Sequence, residues 1–73
     1  MHKVRDEKIL RKFGENLRSA RLSQGITQEK LAEEAGISQI QITRIETGRL
    51  NTSVCTIQRI IDALEISAND LFK

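Results

Sequence analysis

The chain has 73 residues, and its 12 Lys and Arg against 10 Asp and Glu give a formal net charge of +2. A chain of this length buries only about 60% of the surface of its unfolded form, so we expect a single domain and no buried enzyme pocket. The composition lacks Trp and Tyr, which argues against a protein that stacks single-stranded bases on aromatic rings.

Residues with catalytic or metal-binding chemistry are few and scattered. The only histidine is His2, and Cys55 has no second cysteine to pair with. Neither a Ser, His and Asp set nor a metal-binding spacing is present, so we expect no enzyme activity, no cofactor and no metal. No apolar run is long enough to cross a membrane or to form a secretory signal, so we expect a cytoplasmic protein with no membrane partner.

Apolar residues repeat at spacings of three and four, and the chain has no proline, so the sequence predicts an all-α fold of five short helices. They are expected at about residues 6–24, 28–35, 39–47, 54–64 and 68–72, in a single domain of residues 1–73 whose core is 8–72. Residues 1–5 are expected to be disordered. The residues expected to point inward are Ile9, Phe13, Leu17, Ala20, Leu31, Ala32, Ala35, Ile42, Ile45, Val54, Ile57, Ile60, Ile61, Leu64, Leu71 and Phe72.

Glycines and small polar residues mark the expected helix ends. Three glycines follow helical stretches, where a glycine in the left-handed conformation commonly ends a helix: Gly25, Gly36 and Gly48. Thr27 and Ser38 precede helices 2 and 3 as N-caps, and Gln41 completes a capping box with Ser38. Gly14 lies inside helix 1, where it costs about 1 kcal/mol relative to alanine and is expected to permit close packing.

Helices 2 and 3 are joined by a short turn that contains Gly36, which is the helix-turn-helix arrangement. Once the inward residues are set aside, helix 3 presents glutamine, arginine, threonine and isoleucine side chains and no carboxylate. Gln pairs with adenine, Arg with guanine, and an exposed Ile contacts a thymine methyl group, so this face predicts contact with the major groove of DNA. The alternative for Ile40 is an ordinary exposed apolar residue.

The order of these residues resembles the phage repressor/Cro-like helix-turn-helix family. The resemblance covers residues 14–72 and is carried by LRSAR at 17–21, GITQEKLA at 25–32, GIS at 36–38 and ITRIETG at 42–48. It continues through residues 56–57 and 63–64 and ends at 70–72. It implies a lambda repressor-like domain of five helices that binds double-stranded operator DNA, usually as a dimer.

The resemblance also implies roles for individual positions. The base-reading positions are Gln39, Ile40, Gln41 and Arg44. The positions that contact the DNA backbone are Gln28, Thr43, Thr47, Arg49, Asn51 and Thr52. Structural alternatives are a first-turn helix former for Gln28, the capping box for Gln41, solvated helix surface for Thr43 and Thr47, and a turn residue for Asn51. Arg21 and Glu46 match a pair that forms a largely buried salt bridge between helices 1 and 3, against the alternative of two independent surface charges.

The expected partners are an operator and a second copy of the chain. In a homodimer, two copies of helix 3 would enter successive major grooves about 34 Å apart on a pseudo-palindrome. The candidate interface residues are Ile66, Leu71 and Phe72, with core packing as the alternative for each.

We expect no small-molecule effector domain. This suits a small autoregulator such as a restriction–modification controller, an antitoxin-like repressor or a phage switch protein. The alternative function is a protein-interaction adaptor of the same fold, which the weak net charge and the acidic residues Glu29, Glu33 and Glu34 favour slightly.

Overall fold

The structure is a computed structural model that describes residues 7–49 and 52–73. Over these residues the chain forms five helices: α1 (Glu7–Ser23), α2 (Gln28–Ala35), α3 (Gln39–Glu46), α4 (Val54–Leu64) and α5 (Ala68–Leu71). The predicted all-α fold is confirmed, and the predicted bounds of α2 and α4 are those observed. The expectation of disorder at residues 1–5 lies outside the described residues.

Local hydrogen bonds explain where the helices begin and end. The hydroxyls of Thr27, Ser38 and Ser53 each accept a hydrogen bond from a backbone N–H in the first turn of the helix that follows. Gly36 ends α2 at φ 73°, in the left-handed region where glycine carries no steric penalty. α4 ends without a glycine, and Glu65 takes the left-handed position there at φ 55°.

The core lies where α1, α2, α3 and α4 meet. α3 packs against α1 and α2, α2 packs against α4, and α5 packs against α1. The side chains that are fully buried are Leu17, Leu31, Ile42, Ile45, Ile60, Leu64 and Leu71. Asn16 holds α5 in place, since its Nδ2 donates to the carbonyl of Leu71 at 3.0 Å. These contacts leave one side of α3 uncovered.

Three residues predicted to point inward are exposed instead: Ile9 is 58% exposed, Val54 81% and Phe72 57%. Val54 is the first residue of α4, and Phe72 caps α5, so each lies at a helix end where few neighbours can cover it. The ring of Phe72 contacts the ring of Phe13, with 5.1 Å between the centroids, and leaves its other side uncovered. Ile9 lies in the first turn of α1 and lines, together with Phe13 and Phe72, an apolar groove between α1 and α5.

Leu71 and Phe72, which were given the same expected roles, differ in the structure. Leu71 is fully buried within its own chain and offers no side-chain surface to a partner. Its assignment to a dimer interface is wrong for this reason, and core packing is its role. Phe72 is the residue of the pair with apolar surface still available.

Gly14 allows α1 and α3 to approach each other closely. A Cβ atom at this position would overlap the carbonyl oxygen of Ile45 and lie 2.8 Å from that of Glu46. A second glycine supports the same contact, because a Cβ atom at Gly48 would lie 3.0 Å from the Cα of Arg11. The C-terminal end of α3 thus rests directly on the backbone of α1, and this contact sets how α3 crosses the domain.

We predict that Gly14→Ala destabilises the protein by about 1–3 kcal/mol, because the added methyl group meets backbone that cannot move aside alone. Helix propensity alone predicts the opposite sign, a gain of about 1 kcal/mol. Urea unfolding of the variant measures the difference. Ser19→Ala, at an exposed position of the same helix, serves as the control and should change stability by less than about 0.5 kcal/mol. A Gly14→Ala variant as stable as the wild type would contradict the contact.

Candidate nucleic-acid interface

The turn between α2 and α3 fixes the direction in which α3 leaves the core. Ser38 Oγ accepts from the backbone N–H of Gln41 at 3.2 Å, and Gln41 Oε1 accepts from the backbone N–H of Ser38 at 3.1 Å. The two bonds form a reciprocal capping box. Gln41 thus has the structural role that the sequence left open, and its carboxamide oxygen is used inside the chain.

The uncovered side of α3 is the candidate site. Six residues line a shallow depression there, and we call it the α3 outer surface: Gln39, Ile40, Thr43, Arg44, Thr47 and Arg49. None of the six is acidic, and the two arginines make the surface basic. Ile40 is 63% exposed, although exposure of an apolar side chain to water is unfavourable for folding. Ile42, Ile45 and Glu46 occupy the opposite, buried side of the same helix.

A buried ion pair fastens α3 to α1. Arg21 Nε lies 2.7 Å from Glu46 Oε2, and Arg21 Nη2 donates to Glu46 Oε1 at 3.1 Å, so the contact is bidentate. The side chains are only 9% and 2% exposed. The third guanidinium nitrogen donates to the carbonyl of Ile26 at 2.8 Å, which also ties in the loop before α2. Arg21 and Glu46 are therefore not two independent surface charges.

Gln28 extends this ion pair to the outer surface of α3. Its Nε2 donates to Glu46 Oε1 at 3.0 Å, and its Oε1 accepts from Thr43 Oγ1 at 2.8 Å. A glutamine at the first position of α2 thus bridges two helices, which is more than a helix former does. The sequence predicted a contact between Gln28 and the DNA backbone, not this bridge. Thr43 and Glu46 lie 15 and 18 residues from Gln28 along the chain, so no local pattern indicates the contact.

The other predicted site residues are dispersed around the end of α3. Thr47 Oγ1 donates to the carbonyls of Thr43 and Arg44, at 2.9 and 3.2 Å. Arg49 is exposed just beyond α3, and its backbone N–H donates to the carbonyl of Arg44 at 2.8 Å. Thr52 is half-buried in the loop before α4. Asn51 lies outside the described residues.

Other kinds of site find no support in the parts of the chain that the structure describes. No group of His, Cys, Asp and Glu side chains in residues 7–49 and 52–73 could hold a metal ion. No helix within the same ranges combines the length and apolar content needed to cross a bilayer. The α3 outer surface is the candidate functional site.

Comparison with known proteins agrees with this architecture. The profile of the helix-turn-helix family matches residues 17–71. The chain belongs to that family. It is 40% identical over 60 residues to the control protein C.BamHI of Bacillus amyloliquefaciens, an alignment that covers 81% of this chain and 74% of that protein.

Solved structures give the same result. The restriction–modification controller C.AhdI from Aeromonas hydrophila is similar with a TM-score of 0.84 and 36% identity, over 86% of this chain and 96% of that one. The clp gene regulator ClgR from C. glutamicum is similar with a TM-score of 0.84 and 30% identity, over 88% and 82% of the two chains. These three relatives are named as regulators or controllers. The chain is a helix-turn-helix transcriptional regulator and not an enzyme, as the sequence predicted.

We predict that Arg21→Ala lowers the free energy of unfolding by about 3–5 kcal/mol, because it leaves the buried Glu46 carboxylate without its cation. The double variant Arg21→Met with Glu46→Leu should lose less than the sum of its two single changes, since it strands no charge. Urea unfolding of Arg21→Ala, of Arg21→Met, of Glu46→Leu, of the double variant and of the wild type measures this coupling.

Lys30→Ala is the matched control for this experiment. Lys30 pairs with Glu33 at 3.6 Å and with Glu34 at 3.7 Å on the exposed side of α2. Its loss should cost less than about 1 kcal/mol. Equal costs for Arg21→Ala and Lys30→Ala would show that burial of the Arg21–Glu46 pair has no energetic consequence.

Proposed function

We propose that this protein is a sequence-specific regulator that binds double-stranded DNA as a homodimer, with α3 lying in the major groove. One observation supports this most strongly: the α3 outer surface is basic, free of carboxylates and held rigidly at its back by the Arg21–Glu46 pair. A surface that enters a groove lined with phosphates binds better when it is free of acidic side chains, and its side chains must be held in register with the base pairs.

The residues on this surface have the chemistry for reading bases. Arg44 fits a bidentate contact with guanine, Gln39 a bidentate contact with adenine, and Ile40 an apolar contact with a thymine methyl group. Gln41 would contribute only through its amide nitrogen, because its oxygen accepts from Ser38.

Residues at the edges of this surface would contact the DNA backbone and set the register of the complex. Arg49 is exposed beside α3 and is the first of these. Gln28, Thr47 and Thr52 remain proposed backbone contacts, and so does Asn51.

The relatives narrow the class of regulator. C.BamHI is named a control protein, and C.AhdI is a restriction–modification controller. We infer that this chain is a regulator of the same controller type, which is one of the small autoregulators that the sequence suggested.

Dimerisation supplies the second half of the contact with DNA. The single α3 helix has eight residues and reaches one major groove only. Ile66 is half-buried and Phe72 is exposed, so these two remain the proposed interface residues now that Leu71 is assigned to the core. Phe72 borders an apolar groove between α1 and α5 that it lines together with Ile9 and Phe13.

The adaptor hypothesis is weaker in the structure than in the sequence. Its support was the weak net charge and the acidic residues of α2, but Lys30 lies within ion-pairing distance of both Glu33 and Glu34 and offsets part of their charge. These residues lie on α2 and are not among those that line the α3 outer surface.

Selection of bound sequences from a random duplex pool tests the proposed function. The wild type should recover a pseudo-palindrome with half-sites about one helical turn apart, because two copies of α3 would bind successive major grooves. Arg44→Ala should recover the same spacing with one base pair relaxed in each half-site. Its binding to the wild-type operator should weaken by about 1–3 kcal/mol.

Arg18→Ala is the control for this selection, because it also removes one positive charge from an exposed side chain of α1 that lines neither the α3 outer surface nor the groove that Phe72 borders. It should recover the wild-type sequence. An equal loss on every sequence in Arg44→Ala would make Arg44 a phosphate contact. Failure of the wild type to bind any duplex in a salt-dependent way would overturn DNA binding and favour the adaptor.

We predict that Phe72→Ala weakens dimerisation by more than about 1 kcal/mol, as expected when an aromatic residue at the centre of an interface is truncated. Sedimentation equilibrium gives the dimer dissociation constant. Leu22→Ala, at an apolar side chain on α1 that is 55% exposed, is the control and should dimerise as the wild type does. If both variants dimerise alike, Phe72 is not at the interface.

A further inference from the structure

Arg21, Glu46, Gln28 and Thr43 form a chain of hydrogen bonds. The donor and acceptor groups of these residues fix the direction of each bond. The guanidinium of Arg21 has only N–H donors, and the carboxylate of Glu46 has only acceptors. Glu46 Oε1 therefore requires an N–H from Gln28, and the Nε2 of Gln28 occupies that place at 3.0 Å. This leaves the carboxamide oxygen of Gln28 pointing to Thr43.

The carboxamide oxygen in turn fixes the hydroxyl hydrogen of Thr43. That oxygen can only accept, so Thr43 Oγ1, 2.8 Å away, must donate. A hydroxyl has one hydrogen and two lone pairs, and the hydrogen of Thr43 is used inside the protein. Thr43 is exposed and lines the α3 outer surface. What it offers to a ligand there is an acceptor.

An acceptor selects among the groups that DNA presents. Phosphate oxygens, guanine O6 and N7, and thymine O4 are all acceptors and gain nothing from it. The donors in the major groove are the N6 amino group of adenine and the N4 amino group of cytosine. A threonine that is free to rotate would accept either class, so the restriction comes from Gln28.

We propose that Thr43 is a specificity-determining residue that reads the exocyclic amino group of one base, and that Gln28 is a positioning residue that holds its hydroxyl in the accepting orientation. This deepens the proposed function and rests on it. It also reassigns Thr43, which the sequence placed among the contacts to the DNA backbone. Glu46, beyond its structural ion pair, keeps Gln28 in the required orientation.

The test uses the operator recovered by the wild type and its single base-pair substitutions, with binding measured by fluorescence anisotropy. Thr43→Val keeps the shape of the side chain and removes the oxygen. It should weaken binding to the operator about 2- to 12-fold, the range for one net hydrogen bond, and abolish the preference for adenine or cytosine over guanine or thymine on the contacted strand at one position of each half-site. Thr43→Ser should keep that preference.

Gln28→Ala tests the positioning role separately. It should free the Thr43 hydroxyl to donate, so that operators with guanine or thymine at that position of the contacted strand bind nearly as well as those with adenine or cytosine. In a Thr43→Val background, Gln28→Ala should cause no further change in base preference. A merely structural role for Gln28, or its proposed backbone contact alone, would lower affinity for all operators by the same factor and leave the preference intact.

Two outcomes would overturn the proposal. A uniform loss on every operator in Thr43→Val, with no change in base preference, would make Thr43 a phosphate contact. Unchanged binding of Thr43→Val would remove it from the interface. Urea unfolding of each variant identifies any that lose affinity because they fail to fold. Failure of the proposed function itself is distinct, since the wild type would then recover no operator.

Discussion

The placement of α3 depends on one interaction, the ion pair between Arg21 and Glu46. Both charges are withdrawn from water, and the chain recovers that cost only because the two groups meet in bidentate geometry and bond to further partners. Such a pair is satisfied at one separation and one angle. It therefore specifies where α3 lies relative to α1 more narrowly than apolar packing alone would, because apolar packing tolerates small shifts.

The glycine contact and the ion pair act on the same end of α3 by different means. Gly14 and Gly48 remove side-chain bulk, so that the backbone of α1 and the end of α3 touch. Arg21 and Glu46 then lock the orientation at that distance. Neither alone would be enough, since a larger residue at position 14 would move Glu46 away from Arg21, and an unpaired Glu46 would draw α3 toward water.

Whether the sequence predicts a given contact depends on how far apart the contacting residues lie along the chain. The caps at Thr27 and Ser38 and the bounds of α2 and α4 were predictable, because they depend on residues within one helical turn of each other. The exposure of Val54 and Phe72 was not, because the residues that could cover a helix end are distant in the chain. The Gln28–Thr43 bridge was missed for the same reason, whereas the family resemblance supplied the Arg21–Glu46 pairing that local reasoning could not.

The capping box at the start of α3 has a consequence for how proteins of this kind can diversify. Gln41 is bound to the turn and Glu46 to the core, and a change at either disturbs the fold as well as the surface. The side chains of Gln39, Ile40 and Arg44 take part in none of the hydrogen bonds described above. Mutation can therefore exchange these three side chains at little cost in stability, and under the proposed mode of DNA binding such changes alter the recognised operator while the scaffold stays the same.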